Sequence, residues 1–426
     1  MNKAAIFKKT VVGSSVAAAL GMMALPMHAL AADTDTDTLF KESMYLRETG
    51  KTYSAIKAME SILQNQPTLE RVRLELAVSY YRVLNYERAK AEAKKVLDDP
   101  KTPENVKLAI QVFLAQVEQD EALLLKQKSH FEPSVSAGLL YDSNINAGPG
   151  NSLLPGGWVL SPSSVETGDW ATVLQAGLSH TYQSPTPVRV GEDAARFLWK
   201  SQANLYQRSY NRNSNYNLTI ATLATGPAWL APNKWRANVN FQIDNLMQGG
   251  HELAVYSTVA PSYTWQLRSA ELTTDLQYTR KNFILSGNDV RNSDYVSGGL
   301  SYGKILRNGK TATQVGARLF NEDAKTPQYT NHGYEWFVGV NYLAWTNGNI
   351  YARYTQDVAW YDVGGTVASR QDYTHQYEVG FGHHFKTGKL NNWNLNGSWT
   401  HIENNSDDPV YKYQRDLALL TIGRTF

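Results

Sequence analysis

The chain closes on Asp416-Leu417-Ala418-Leu419-Leu420-Thr421-Ile422-Gly423-Arg424-Thr425-Phe426, and this stretch has a period of two. Ala418, Leu420, Ile422 and Phe426 share one face, as a strand requires. The alternation continues upstream. Trp393, Leu395, Gly397 and Trp399 alternate with Asn394, Asn396, Ser398 and Thr400. Tyr373, Tyr377, Val379, Phe381 and Phe385 alternate with Thr374, Gln376, Glu378, Gly380 and Gly382. Trp235, Ala237, Val239, Phe241 and Ile243 alternate with Arg236, Asn238, Asn240, Gln242 and Asp244. One face is apolar with aromatic ends and the other is polar. A soluble sandwich would favour Val, Ile and Leu over Tyr and Trp at the strand ends. The pattern predicts a closed membrane barrel, apolar toward lipid and polar toward a lumen.

Alternating segments begin near Pro133, Trp170, Arg196, Tyr216, Lys234, Leu253, Glu271, Ser293, Lys310, Tyr334, Gly348, Asp372, Asn392 and Tyr413. This predicts an antiparallel barrel of about 14 strands, an even number as in bacterial barrels. Asn308-Gly309 and Asn347-Gly348 mark tight turns. Long connections are expected near 143–169, 184–194, 284–292, 321–332, 361–371 and 403–411, on the outer side, with short turns facing the periplasm. Ala418, Leu420, Ile422 and the terminal Phe426 resemble the assembly signal of bacterial outer-membrane barrels. Arg424 stands where that signal usually carries an apolar residue.

The other end reads as a secretory signal peptide over residues 1–31. Lys3, Lys8 and Lys9 precede an apolar run from Val11 to Pro26, and Ala29-Leu30-Ala31 fits a cleavage site. No later run is long and apolar enough for a membrane helix, so insertion has to use strands. The chain has no cysteine, which excludes disulfides and a lipid anchor on a cysteine. A formal charge of +2 argues against a nucleic-acid binder. Aromatics are 11% of residues and mean hydropathy is −0.42, which fits a barrel that turns only alternate residues to lipid.

Between the two lies a helical region. Asp33-Thr34-Asp35-Thr36-Asp37-Thr38 reads as a solvated linker, since it lacks the Gly and distal Glu of a calcium loop. Helical periodicity then runs to about Lys128. Ala55 and Ala89 lie 34 residues apart, the tetratricopeptide period. Met59 matches Ala93, Ile62 matches Val96, and Leu63 matches Leu97. Ala77 and Tyr80 fall where the repeat wants a small residue and an aromatic. A third helical segment, Pro103 to about Lys126, is expected to cap the stack, and two repeats need such support. The domains expected are a signal peptide (1–31), a periplasmic TPR-like domain (32–130) and the barrel (131–426).

Several motifs look chemical. Gly299-Leu300-Ser301-Tyr302-Gly303 matches a nucleophile elbow, but that motif needs a strand-to-helix turn and here a strand continues. Gly303 to Gly309-Lys310-Thr311 has the wrong spacing for a phosphate loop and leads into a strand. His375 and His383 share a strand face and His384 lies on the other, which argues against a shared metal. Asp407-Asp408 falls in a loop, with no pocket to support acid–base work. The expectation is a non-enzymatic chain with no cofactor.

Phe131-Glu132-Pro133-Ser134-Val135-Ser136-Ala137-Gly138-Leu139-Leu140-Tyr141-Asp142-Ser143-Asn144-Ile145-Asn146 resembles the first barrel strand and loop of the Slam family, the surface lipoprotein assembly modulators. The run Tyr141, Asp142, Ser143, Asn144 is its most specific part. Tyr413-Gln414-Arg415-Asp416-Leu417 through Phe426 is similar to that family's last strand. The resemblance implies an outer-membrane translocon of a Gram-negative bacterium. It would move client surface lipoproteins, or related secreted host-nutrient-binding proteins, to the cell surface. The implied partners are the client, a periplasmic chaperone and the barrel assembly machinery, with no nucleic acid. Client folding outside would supply the energy. An edge between the first and last strands could open to pair with client strands. The alternative is an exopolysaccharide export porin, which also joins helical repeats to a barrel.

Overall fold

The computed structural model describes residues 34–126, 128–157 and 159–426. The expected signal peptide lies outside the described residues. Five helices come first: α1 (Thr34–Glu48), α2 (Thr52–Asn65), α3 (Glu70–Arg82), α4 (Tyr86–Leu97) and α5 (Glu104–Lys126). Of the stretch read as a linker, Asp33 lies outside the described residues, and Thr34 to Thr38 form the start of α1. Asp35 and Asp37 sit at its N-terminus, where the helix dipole favours carboxylates, and Asp37 pairs with Lys41 at 2.6 Å. The period survives in the element starts, since 86 − 52 = 34 and 104 − 70 = 34. The helical core joins Met59, Leu76, Val96, Ile110, Phe113 and Val117, and α5 supplies the last three. One ion pair, Arg47 with Glu75 at 2.6 Å, is buried between α1 and α3.

The strands follow: β1 (Ser129–Asp142), β2 (Asp169–Gln183), β3 (Val188–Val190), β4 (Asp193–Tyr210), β5 (Leu218–Ala231), β6 (Trp235–Gln248), β7 (His251–Gln266) and β8 (Ala270–Phe283). After these come β9 (Ser293–Ile305), β10 (Thr311–Ala324), β11 (Asn331–Trp345), β12 (Gly348–Tyr361), β13 (Arg370–His384), β14 (Trp393–Ser406) and β15 (Tyr413–Thr425). Each neighbour pairs in turn, β1 pairs with β15, and β2 pairs with β4. The ring is therefore a closed antiparallel barrel of fourteen strands, with the short β3 attached to β4 outside it. Closure removes the unpaired backbone edges that lipid cannot hydrate.

Outward positions carry Leu, Val and Ile between two aromatic bands. Near one rim Tyr141 packs on Trp170 at 5.2 Å, and Tyr334 on Trp360 at 5.7 Å. Near the other, Trp235 packs on Tyr263 at 5.7 Å and Tyr263 on Trp265 at 4.6 Å. These are the interfacial girdles of a barrel whose outer solvent is lipid. No described helix is long and apolar enough to cross a membrane.

Antiparallel strands alternate their connections between the two rims. Residues 143–168, 211–217, 284–292, 325–330, 362–369 and 407–412 share the loop rim. Residues 184–192 do not, although their length predicted it. They connect β2 to β4 at the rim of the short turns, because only one strand separates them from the first loop. Residues 182–198 and 229–231 also group with the helices as one compact unit, and the remaining strand residues form the second. The reason is local: Ala194 packs into the helical core. At Asn308-Gly309, Gly309 has φ +65°, and the Asn308 side chain accepts from the amides of Lys310 and Thr311 at 3.0 Å each.

Candidate functional site: first loop, closing seam and helical groove

The seam between β1 and β15 runs from Ser134 opposite Thr425 to Asp142 opposite Leu417. Below it, the Phe426 amide donates to the Pro133 carbonyl at 2.9 Å. Above it, the run 141–144 closes the ring. Tyr141 faces outward against Trp170. Asp142 points inward and is fully buried. Its carboxylate accepts from Arg415 Nε at 2.9 Å and Nη2 at 2.6 Å, from the Tyr210 hydroxyl at 2.5 Å, and from the Asn144 amide at 3.1 Å. A two-point guanidinium contact fixes direction as well as charge. Ser143 exchanges two bonds with Asp416: its amide donates to the Asp416 carbonyl at 2.9 Å, and its Oγ accepts from the Asp416 amide at 2.8 Å.

Asn144, also fully buried, ties the loop to the wall. Its Nδ2 donates to the carbonyls of Gly148 and Gln414, each at 2.8 Å, and its Oδ1 accepts from the Gly148 amide at 3.0 Å. A side chain at Gly148 would collide with the Ser164 carbonyl, 2.4 Å from an added Cβ. Ile145 then packs with Leu140, Val173 and Tyr210, with Leu417 and Leu419 alongside. The first loop thus covers an apolar patch on an otherwise polar inner wall. Sequence reasoning singled out Asp142, Ser143 and Asn144 but not Tyr210 or the pairing with Arg415. Arg415 lies 273 positions from Asp142, and no local spacing joins them.

Ala418, Leu420, Ile422 and Phe426 lie on the outer face of β15, and Leu420 and Ile422 stand opposite Leu139 and Ala137. Arg424 shares that face, its guanidinium 4.8 Å from the Phe426 ring centroid. The cation covers the aromatic ring, so Arg424 does not interrupt the apolar row with a bare charge.

The repeat residues belong to the helical core. Ala55, Ala77 and Ala89 have no exposed surface, so they set helix approach and touch no ligand. Tyr80 is buried as well, and its hydroxyl donates to the Glu60 carboxylate while Arg88 Nη1 donates to it at 3.0 Å. Burial and the Glu60 carboxylate push the phenol up to about 12, so it is neutral at physiological pH. Beside it opens a groove of about 640 Å³, lined by Tyr53, Ile56, Tyr80, Val83, Tyr86 and Arg88.

The lumen wall carries Asn, Gln, Ser and Thr, with several of its charges in pairs. Arg318 meets Asp275 at 2.5 Å, Lys281 meets Glu322 at 2.8 Å, and Arg236 holds Glu271 through two bonds. Ser301 lies mid-strand on this wall, opposite Gly316. Each of the three histidines has its own partner: His375 with Tyr354 at 2.8 Å, His383 with Trp345 at 2.9 Å, and His384 with Asn394 at 2.9 Å. Among the described residues no group of three metal-ligating side chains converges. Asp408 is buried and joins two outer loops. It accepts from the Gly365 and Thr366 amides at 2.8 Å and the Thr366 hydroxyl at 2.6 Å.

No protein-family model and no curated protein matches the sequence. Solved structures of similar outline include OccAB4 of Acinetobacter baumannii, at 10% identity over 70% of this chain and 99% of that one, with a TM-score of 0.34. OmpT of Vibrio cholerae, as a loop-deletion mutant, is similar at 8% identity over 70% and 99%, with a TM-score of 0.42. An anion-selective porin from Comamonas acidovorans is similar at 8% identity over 70% and 99%, with a TM-score of 0.39. Likenesses this distant carry no argument about what the chain does.

Proposed function

We propose that this chain is an outer-membrane translocon of the Slam type, with its helical unit in the periplasm and its barrel as the passage for a client. The client would be a surface lipoprotein or a related secreted nutrient-binding protein, delivered by a periplasmic chaperone. The observation that carries the reading is the part played by the 141–144 run, the most specific point of resemblance. It is the clasp of the ring and the anchor of the first loop, so a short polar stretch determines how the passage is closed and covered. A helical unit with an open groove, on the same chain as a polar-walled barrel, fits a device that first holds a polypeptide and then passes it on. A polar wall offers an unfolded client little apolar surface to stick to. Energy would come from client folding outside.

The test is surface display. A candidate client is expressed in a heterologous Gram-negative host with and without this chain. Intact cells are then treated with protease and the medium is assayed. Exposure or release of the client that depends on this chain is the expected result. No dependence across several clients, with the barrel correctly assembled, would overturn the reading.

A further inference from the structure

The connection at residues 184–192 is longer than the turns at 232–234, 267–269 and 346–347 on the same rim. Its tip meets α2 at two places. The Glu192 carboxylate accepts from the Ser54 amide and from the Ser54 hydroxyl, each at 3.0 Å. Helix α2 has no side-chain cap of its own, since Lys51 makes no capping bond. Glu192 therefore supplies the missing acceptor at a helix N-terminus, where a carboxylate is favoured. Arg189 lies 4.3 Å from the Tyr53 ring centroid and 3.5 Å from Glu192. The groove beside the tip is walled by Pro187 and Arg189 on one side and by Ile56 and Tyr80 on the other.

The hold is uneven along the hairpin. At the tip the Arg189 side chain is 58% exposed and that of Glu192 is 33% exposed. Contacts of this kind compete with water and hold weakly. On the returning arm Ala195 is fully buried and Ala194 belongs to the helical core, and the two stand opposite Val188 and Arg189 of β3. The hairpin thus has a fixed β4 arm and a releasable outgoing arm, the short edge strand β3 with its tip.

We propose that residues 185–192 are a built-in occupant of a peptide site, displaced by an extended polypeptide segment that carries a carboxylate. The incoming carboxylate takes the Ser54 amide and hydroxyl, a cationic neighbour takes the Tyr53 face, and the segment runs along the groove past Ile56 and Tyr80. Naming that segment as part of a client rests on the transport reading, whereas the displacement itself does not.

The experiment uses the full-length protein in detergent and a fluorescent peptide copy of residues 183–195 as probe. An internal competitor lowers apparent affinity by the fraction of time the site is free, so Arg189→Ala/Glu192→Ala should bind the probe about tenfold tighter than wild type. Glu192→Gln in the probe should reverse most of that gain. Ser54→Ala added to the double variant removes the hydroxyl and keeps the amide, so it should weaken probe binding while its melting temperature stays unchanged, which separates a damaged site from a lost fold. Equal affinity of wild type and double variant would overturn the proposal. So would binding indifferent to Ser54 or to the probe carboxylate. Probe binding without client export would leave this proposal standing and count against the transport reading. Export without the expected probe binding would do the reverse.

Discussion

The helical unit and the barrel use the same two ingredients, small residues and charges, in opposite ways. In the helices Ala55, Ala77 and Ala89 disappear inside an apolar core, and side-chain packing sets the geometry. In the barrel the apolar residues face out, the backbone ladder sets the geometry, and side chains matter most where the ring closes. A buried charge is therefore one ion pair among packed residues in the first, Arg47 with Glu75, and the clasp of the fold in the second, Arg415 with Asp142. Stability in the two units should respond to different substitutions.

The largest expected effect is at the clasp. Asp142→Ala leaves the half-buried Arg415 guanidinium and the Tyr210 hydroxyl without their carboxylate and should cost about 3 kcal/mol, while replacing both charged partners with apolar residues of similar volume should cost far less. Heat-dependent gel mobility of the folded barrel reads both. If the double replacement were as damaging as the single one, the seam would depend on Arg415 for something beyond this pair. Next comes Ala77→Leu, which overpacks the helical core and should cost about 1–3 kcal/mol. Far-UV melting should show the helical signal falling early while the barrel's gel mobility holds. A simultaneous loss of both would break the comparison between independent units.

The third test concerns pH. Burial pushes the Asp408 carboxyl up, but the Thr366 hydroxyl and the Thr366, Val410 and Gly365 amides outweigh it and hold its pKa below the ordinary carboxylate range. A depressed pKa contributes stability above the unfolded value, near 3.9, that is lost as pH falls through the folded value. Proteolysis at residues 362–369 by an acid-active protease should therefore stay slow at pH 5 and accelerate below about pH 4. Asp408→Asn should remove the pH step. The smallest expected effect is on transport through a locked seam. The chain has no cysteine, so Ala137→Cys/Ile422→Cys places one disulfide across paired positions. If the chain exports a client as proposed, export should continue through the lumen after oxidation, because the clasp is costly to open. Export abolished by the disulfide and restored by reductant would show instead that the seam opens.

Period-two alternation made the barrel legible. The predicted strand starts at Ser293, Gly348 and Tyr413 coincide with the observed ones, and Trp170 and Asp372 fall within two residues. Aromatic strand ends told lipid from a soluble core, because a girdle needs Tyr and Trp where a core does not. Two features were misread for identifiable reasons. Thr34 to Thr38 has no apolar period, so the start of α1 is visible only through its acidic first turn and its continuation into Leu39 and Phe40. The 184–194 connection was sorted by length, whereas its rim is fixed by counting strands. The run at 141–144 was conspicuous in the sequence, but its partners Tyr210 and Arg415 belong to distant strands. Only the closed ring brings them together.

The clasp also bears on the order of assembly. Asp142 is made early and Arg415 is made 273 residues later, so no partial chain ending before Arg415 can give that carboxylate its guanidinium. Non-local closure carries an entropic delay that local hairpins escape, so the thirteen sequential strand pairings can form while the two outer edges stay unpaired. The last pairing to form then joins the ladder, buries the charge and seats the first loop in a single event. A chain truncated anywhere before Arg415 would leave that carboxylate without its guanidinium and the first loop unseated. Completion of the barrel is thus registered chemically at one point, where a finished ring differs from an unfinished sheet.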